Sequence, residues 1–277
     1  GILDTQEAER LATGFVFTEG PLWHPDDYYF FVDVRASRLY RVTPGRAPDV
    51  LRENTGGGNG TTFDLQGRLV LCEGDNRRVT RAAQDGTIAV LVDRFEGKRL
   101  NSPNDIVCKS DGSIWFTDPS FGILGWYEGA KAEAELPTNV YRIDPSGALG
   151  VVADGINQPN GLAFSPDESI LYIVESRSVP RKLLAYDVKG GKTLANRRVL
   201  IDAGPKGTPD GFRVDVDGNL WCGWGMGEAG LDGVHVFNPD GRLIGRIELP
   251  ERRANVCFGG LHRNRLFMAA STSLSSL

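Results

Sequence analysis

The sequence contains few of the side chains that zinc enzymes and histidine-dependent hydrolases use. It has three histidines, four cysteines and two methionines, and no two of its cysteines stand at C-x-x-C spacing. The patterns G-x-S-x-G and H-E-x-x-H and the phosphate-binding P-loop are also missing. We therefore expect neither a Ser-His-Asp triad nor a zinc site built from histidine or cysteine ligands.

Long apolar runs and an excess of basic charge are missing too. No run approaches the ~18 apolar residues of a membrane helix. The net charge is −5, which argues against a general nucleic-acid binder, because phosphates require a basic face. The start, Gly1-Ile2-Leu3-Asp4, does not resemble a secretory leader. We expect a cytoplasmic protein with no nucleic-acid or membrane partner, or a periplasmic one if a leader has been removed.

What the chain does contain is a repeated polar position. Six polar residues, which we call the anchor residues, stand at the same place in a recurring strand-turn-strand pattern. They are Glu19, Asn59, Asn104, Asn160, Asp210 and Asn255. Eight residues after each anchor lies a short polar turn, for example at Ser110-Asp111-Gly112. Eleven residues after each anchor lies an apolar residue inside a strand-like run, for example at 114–117.

The spacing of the anchor residues indicates the fold. Successive anchors are 40, 45, 56, 50 and 45 residues apart, which is the period of four-stranded propeller blades. We therefore predict an all-β fold, a six-bladed β-propeller in a single domain over residues 1–277. The segment from Arg10 to Phe15 precedes the first anchor. We predict that it forms a strand that closes the last blade and removes its open edge.

A propeller directs the start of each innermost strand towards its central channel, so the anchor residues should form a ring there. A single asparagine before a strand is often an ordinary turn former. Six in register, including the carboxylates of Glu19 and Asp210, instead favour an oxygen-rich site. Such a site suits one divalent metal ion, with Ca²⁺ as the first choice and Mg²⁺, Mn²⁺ or Zn²⁺ as alternatives.

The longest interval contains an insertion from Ile123 to Thr138. Its stretch 128–135 has a helix-favouring composition, and the insertion is either a lid over the channel or a surface loop. Trp126 and Tyr127 within it, and Trp224 elsewhere, either stack on a sugar or pack as ordinary aromatics.

Five motifs, in this order along the chain, resemble a known family. They are Thr18-Glu19-Gly20-Pro21-Leu22-Trp23, Asn101-Ser102-Pro103-Asn104-Asp105, Phe116-Thr117-Asp118-Pro119-Ser120-Phe121-Gly122, Gln158-Pro159-Asn160-Gly161-Leu162 and Thr208-Pro209-Asp210-Gly211. The chain resembles, over nearly its whole length, the senescence marker protein/gluconolactonase/regucalcin-like family of six-bladed calcium propellers.

The resemblance implies roles for particular residues. Glu19, Asn160 and Asp210 would bind the metal, and Asn104 would contact metal or substrate. Animal regucalcin-like members carry an arginine that holds a sugar hydroxyl at the place of Ser102. We expect Ser102 to contact the substrate here, and this form of the motif is more similar to the microbial gluconolactonase branch.

The resulting functional expectation is a metal-dependent hydrolase that opens sugar lactones. The metal would polarise the lactone carbonyl for attack by an activated water. We expect Asp210 to act as general base or to position the water. Asp118 and Glu175 are reserve candidates for that role, with a structural role as the alternative for each. Two other functions stay open: an organophosphate or ester hydrolase at the same calcium site, and a noncatalytic binding propeller.

Overall fold

Six four-stranded antiparallel sheets make up the fold. A computed structural model describes residues 7–83, 85–228 and 230–277. The first three blades, each given from its innermost to its outermost strand, are β2 Thr18–His24, β3 Tyr28–Asp33, β4 Arg38–Val42 and β5 Asp49–Glu53; β6 Gly58–Phe63, β7 Leu69–Glu73, β8 Arg78–Ala82 and β9 Ile88–Val92; and β12 Ile106–Cys108, β13 Ile114–Asp118, β14 Asn139–Ile143 and β15 Leu149–Ala153.

The other three blades repeat this order. They are β16 Pro159–Phe164, β17 Ile170–Glu175, β18 Lys182–Lys189 and β19 Thr193–Asp202; β20 Pro209–Val214, β21 Leu220–Trp224, β22 Gly233–Phe237 and β23 Leu243–Glu248; and β24 Arg253–Gly259, β25 Arg265–Ala270, β26 Ser273–Ser276 and β1 Glu9–Thr13. A two-stranded hairpin, β10 Arg94–Phe95 and β11 Lys98–Arg99, precedes the third blade.

The six sheets form a closed ring. Their innermost strands contact one another in chain order, and β24 of the last blade contacts β2 of the first. The chain ends share the last blade, because β1 pairs antiparallel with β26, from Glu9 opposite Ser276 to Thr13 opposite Ser273. The predictions of a six-bladed propeller and of closure by an N-terminal strand are confirmed. The assignment of all of 1–277 to one domain stays a prediction.

The turn that follows each innermost strand explains the register seen in the sequence. The residue eight positions after every anchor adopts a positive φ. These residues are Asp27, Gly67, Gly112, Glu168, Gly218 and Arg263, with φ between 52° and 84°. Residues with a side chain rarely adopt this conformation, and three of the six positions are therefore glycine. The apolar residues at the eleventh position, from Phe30 to Leu266, are all buried.

The hydrophobic core is divided among the contacts between blades. Five of the buried clusters in the described residues each join two neighbouring sheets, and a sixth joins the first two blades and also includes Ala254 of the last blade. The cluster between the last and the first blade contains Tyr29 and Phe267, whose ring centroids lie 4.4 Å apart. Apolar burial therefore stabilises the ring at every joint, including the joint that closes it.

The insertion contains little regular structure. A short 3₁₀ helix covers Phe121–Ile123, and the helix-favouring stretch 128–135 forms no helix. Within the described ranges, no helix is long and apolar enough to cross a membrane.

Removal of residues 1–13 should destabilise the ring. It deletes β1, leaves β26 as an open sheet edge and uncovers the cluster that Leu11 packs against. We expect the melting temperature to fall by roughly 5–10 °C, equivalent to a few kcal/mol for a domain of this size. Arg10→Gln, at an exposed position of the same strand, is the control. An unchanged melting temperature of the truncated chain would contradict the role of β1 in closure.

Candidate active site

A cavity of about 310 Å³ lies where the innermost strands begin. Five of the six anchor residues line it: Glu19, Asn59, Asn104, Asn160 and Asp210. The sixth, Asn255, is buried, and its side-chain amide donates a hydrogen bond to Glu19 Oε2 at 3.0 Å. Residues from six blades, separated by up to 236 positions, thus meet at one end of the channel.

The channel is too narrow for a side chain after most anchors. A Cβ on Gly161 would lie 2.4 Å from the carbonyl oxygen of Asp210 in the next blade. Gly20 adopts a φ of +53°, and its Cβ would lie 2.1 Å from the carbonyl oxygen of Asn59. Glycine at these positions lets the innermost strands approach closely and brings the anchor side chains together.

Asp105 occupies the corresponding position in the third blade. Its carboxylate is buried; Oδ1 accepts a hydrogen bond from the backbone N–H of Ile106 at 2.8 Å, and Oδ2 lies 3.9 Å from Arg213 Nη1. The sequence analysis did not identify this residue. The signal was available, since an aspartate stands where four other blades carry the glycine after the anchor.

The carboxylates of Glu19 and Asp210 share their cavity with Arg181 and Arg252. Neither forms an ion pair with a lysine, arginine or histidine in the described part of the chain. Burial, followed by the negative charges of Asp210 and Asp105, raises the pKa of Glu19 to about 8. Burial also raises the pKa of Asp210 to about 6, against the positive charges of Arg252 and Arg181. Both carboxylates are therefore costly to ionise as they stand.

The donor set fits a hard divalent cation. Two carboxylates and the neutral amide of Asn160 offer only oxygen ligands, and a divalent charge would balance the two negative charges. Among the described residues, no group of three or more His, Cys, Asp and Glu side chains could hold a metal ion. A site here would thus rely on asparagine oxygens beside its two carboxylates.

The reserve candidates Asp118 and Glu175 support loops and do not line the cavity. Asp118 accepts hydrogen bonds from the backbone N–H groups of Asn101 and Ser102, at 2.8 and 2.7 Å. Glu175 accepts one from the N–H of Asn157 at 2.9 Å. Each carboxylate ends the second strand of its blade and holds the segment just before the innermost strand of the same blade. Their position supports the structural alternative for both.

Ser102 lies beside Gly122, directly before the insertion, and does not line the cavity. It is buried, and its hydroxyl accepts a hydrogen bond from the N–H of Gly122 at 2.8 Å. The contact of Ser102 with substrate stays a prediction, and the position of Ser102 outside the cavity lining does not support it.

The insertion reaches over the cavity, as a lid would. Tyr127 and Glu128 both line it. Trp126 is 77% exposed and does not line it, and Trp224 is buried and stacked on His235 at 4.5 Å. Of the three aromatic candidates, only Tyr127 is positioned to contact a ligand.

Three arginines that the sequence analysis did not identify complete the charged lining. Arg177 and Arg181 lie between β17 and β18, and Arg252 lies just before β24. In a four-stranded blade these connections lie at the same end as the start of the innermost strand. That rule could have marked them as candidates.

Residues 17–272 match the family model described as the SMP-30/gluconolactonase/LRE-like region. A gluconolactonase from Xanthomonas campestris has a similar structure, with a TM-score of 0.91 and 37% identity over 99% of this chain and 90% of that chain. Curated relatives include a gluconolactonase from Zymomonas mobilis, 29% identical over 95% of this chain and 78% of the relative. A regucalcin from Xenopus laevis is 32% identical over 91% of this chain and 82% of its own length.

Asp118→Asn should destabilise the fold. The carboxylate accepts two backbone N–H groups, and the amide NH₂ of asparagine would leave one of these buried donors without a partner. We expect the free energy of unfolding to fall by about 1–3 kcal/mol in urea denaturation. The control, Asp217→Asn in an exposed turn, should change it by less than ~0.5 kcal/mol. Equal stability of the two variants would refute the supporting role of Asp118.

Proposed function

Because this chain belongs to the SMP-30/gluconolactonase/LRE-like family, we propose that it opens sugar lactones at one divalent cation held by Glu19, Asn160 and Asp210. The chain is a hydrolase of the ester bond in a lactone. Its relatives from Zymomonas and Xanthomonas are gluconolactonases, and they support an aldonic acid as the product.

One observation carries the assignment of the site. Glu19 and Asp210 lie around a single cavity inside the ring, and no cationic side chain forms an ion pair with either of them in the described residues. Two such carboxylates cost free energy unless a cation accompanies them. A propeller that only displayed loops to a partner would gain nothing from this arrangement.

The chemistry divides between the cation and the side chains. A bound divalent cation supplies polarisation of the lactone carbonyl and stabilises negative charge that develops on its oxygen. Asp210 accepts a hydrogen bond from the attacking water and takes up its proton, while Asn104 donates its side-chain amide to the substrate. Water adds to the acyl carbon, the bond from that carbon to the ring oxygen breaks, and the ring oxygen leaves as a hydroxyl after receiving the proton.

Calcium is our first choice of metal, with Mg²⁺, Mn²⁺ and Zn²⁺ as alternatives. Carboxylate and amide oxygens in an irregular arrangement suit calcium, whereas magnesium demands near-octahedral geometry. We also keep the cytoplasm as the proposed compartment. All four cysteines are free, as is usual for thiols in a reducing environment.

Removal of either carboxylate should abolish most of the metal affinity. Glu19→Gln and Asp210→Asn each delete half of the negative charge that balances the cation, and we expect calcium to bind on the order of 100-fold or more weakly. Asn160→Ala should weaken binding less, because water can replace a neutral oxygen ligand. Calorimetric titration of chelator-treated protein with calcium measures the metal affinity of all three variants.

The matched control for these titrations is Asp217→Asn, an aspartate in an exposed turn far from the cavity lining. It should bind calcium as the unaltered protein does. Full calcium affinity in Asp210→Asn, together with full lactonase activity after chelation, would disprove the proposed metal site.

Asn104→Ala should impair catalysis while metal binding persists. The backbone carbonyl of Asn104, which accepts a hydrogen bond from Gly60 N–H at 2.7 Å, is unchanged in this variant, so we expect it to fold. Loss of a side-chain donor to the substrate should lower kcat/KM by roughly 100-fold. Asn59→Ala, the equivalent anchor of the preceding blade, should have a milder effect. Steady-state kinetics at saturating calcium measure kcat/KM of both variants. Equal losses of kcat/KM in the two variants would contradict a special role of Asn104.

A further inference from the structure

Three guanidinium groups converge on the mouth of the cavity from two blades. Arg177 and Arg181 lie in the connection between β17 and β18, and Arg252 directly precedes β24. All three line the same cavity as Glu19 and Asp210. Within the described residues, none of the three forms an ion pair with a carboxylate. This sets them apart from most arginines of the blades, such as Arg198, which pairs with Asp187 at 2.8 Å.

Two of these arginines lie over aromatic rings, and among the described residues the only hydrogen-bond partner of their guanidinium N–H donors is the weak acceptor Met226 Sδ, 3.1 Å from Arg252 Nη1. The guanidinium of Arg252 lies 4.9 Å from the ring centroid of Phe17, and that of Arg177 lies 5.8 Å from the ring centroid of Phe121. Phe17 and Phe121 themselves line the cavity. Stacking occupies the face of a guanidinium group, whereas its N–H donors point outward from the edge. The aromatic rings therefore position the two arginines without satisfying their charge.

The charges that line the cavity do not balance once a cation is present. The lining contains three arginines and three carboxylates, namely those of Glu19, Glu128 and Asp210. A bound divalent cation compensates two of the carboxylates and leaves an excess of two positive charges. Glu128 offsets only part of the charge of the arginines. A neutral sugar lactone would enclose this excess charge without compensating it, which is unfavourable in a partly buried site.

We propose that the cavity accepts a lactone carrying an anionic group, a carboxylate or a phosphate, at the end remote from the reacting carbonyl, and that Arg177, Arg181 and Arg252 bind this group. The inference rests on the proposed lactonase function and names its substrate class. Arginine is suited to this role, because its planar donors bind carboxylate and phosphate in a bidentate manner. The cation end of the cavity receives the lactone carbonyl and the arginine end receives the anion, so the two charges set the direction in which the substrate binds.

The test compares three lactones that share a ring and differ at one carbon. D-glucono-1,5-lactone is neutral at carbon 6, D-glucaro-1,5-lactone carries a carboxylate there, and 6-phospho-D-glucono-1,5-lactone carries a phosphate. We expect kcat/KM for at least one anionic lactone to exceed that for the neutral lactone about tenfold or more. The anionic lactone with the higher kcat/KM identifies whether the arginines bind a carboxylate or a phosphate.

Variants of the arginines connect the preference to these side chains. Arg181→Gln and Arg252→Gln should each lower kcat/KM for the anionic lactone more than for the neutral one, so that the ratio between them falls several-fold. Arg181→Lys, which keeps the charge but loses the planar donors, should retain more of the ratio than Arg181→Gln. Arg198→Gln, on the outermost strand of the same blade and outside the cavity lining, is the matched control and should leave both values unchanged. Thermal unfolding checks that each variant folds.

Binding without turnover gives an independent measurement. Glucarate carries one more carboxylate than gluconate, and by calorimetry it should bind the calcium-saturated protein more tightly. Arg252→Gln should reduce this difference, whereas Arg198→Gln should not.

The outcomes separate this inference from the function on which it rests. Hydrolysis of the neutral lactone with no preference for an anionic one would overturn the inference and leave the lactonase function intact. Equal losses on neutral and anionic lactones in the arginine variants would also overturn it, since the arginines would then act on the reacting carbonyl. Absence of turnover with every lactone would overturn both.

Discussion

Closure of the ring is the constraint on which the rest of this structure depends. The pairing of β1 with β26 joins the two ends of the chain in one blade, and the cluster around Tyr29 and Phe267 seals the last joint. Without closure, the six innermost strands would have no common axis and the anchor residues would not meet. A local ladder of hydrogen bonds at the rim of the molecule thus determines whether a site exists at its centre.

Closure also creates an electrostatic problem that the surrounding residues only partly solve. Glu19 receives a hydrogen bond from Asn255, and Asp105 lies beside Arg213. These contacts hold the carboxylates in place, but burial still raises the pKa of Glu19 to about 8. The same burial that makes the pair costly would strengthen its attraction to a divalent cation, because water screens the interaction less in the channel than at the surface. At the proposed metal site, the fold would thereby convert a destabilising arrangement into affinity for a cation.

The two ends of the cavity are built from different parts of the chain. The anchor residues belong to strands that the ring holds rigidly, and glycines such as Gly161 allow these strands to approach one another. The outer wall comes from connections between strands, which carry Tyr127, Glu128 and the three arginines. Connections can change in length and charge without disturbing the blades. Proteins that share the anchor residues can therefore differ in their substrates through the outer wall.

The sequence by itself determined the number of blades, the position of each innermost strand and the identity of the anchor residues. These features are periodic and locally caused: a turn with positive φ recurs eight residues after each anchor, and a buried apolar residue recurs three residues later. Tertiary structure alone decided how the side chains share the centre. Asn255 donates a hydrogen bond to Glu19, Ser102 accepts one from Gly122 directly before the insertion, and Trp224 packs in the core. The arginines of the fourth and sixth blades line one cavity only because ring closure brings connections that are distant in sequence to the same end of the channel. No local pattern in the chain encodes the spatial distance between these connections.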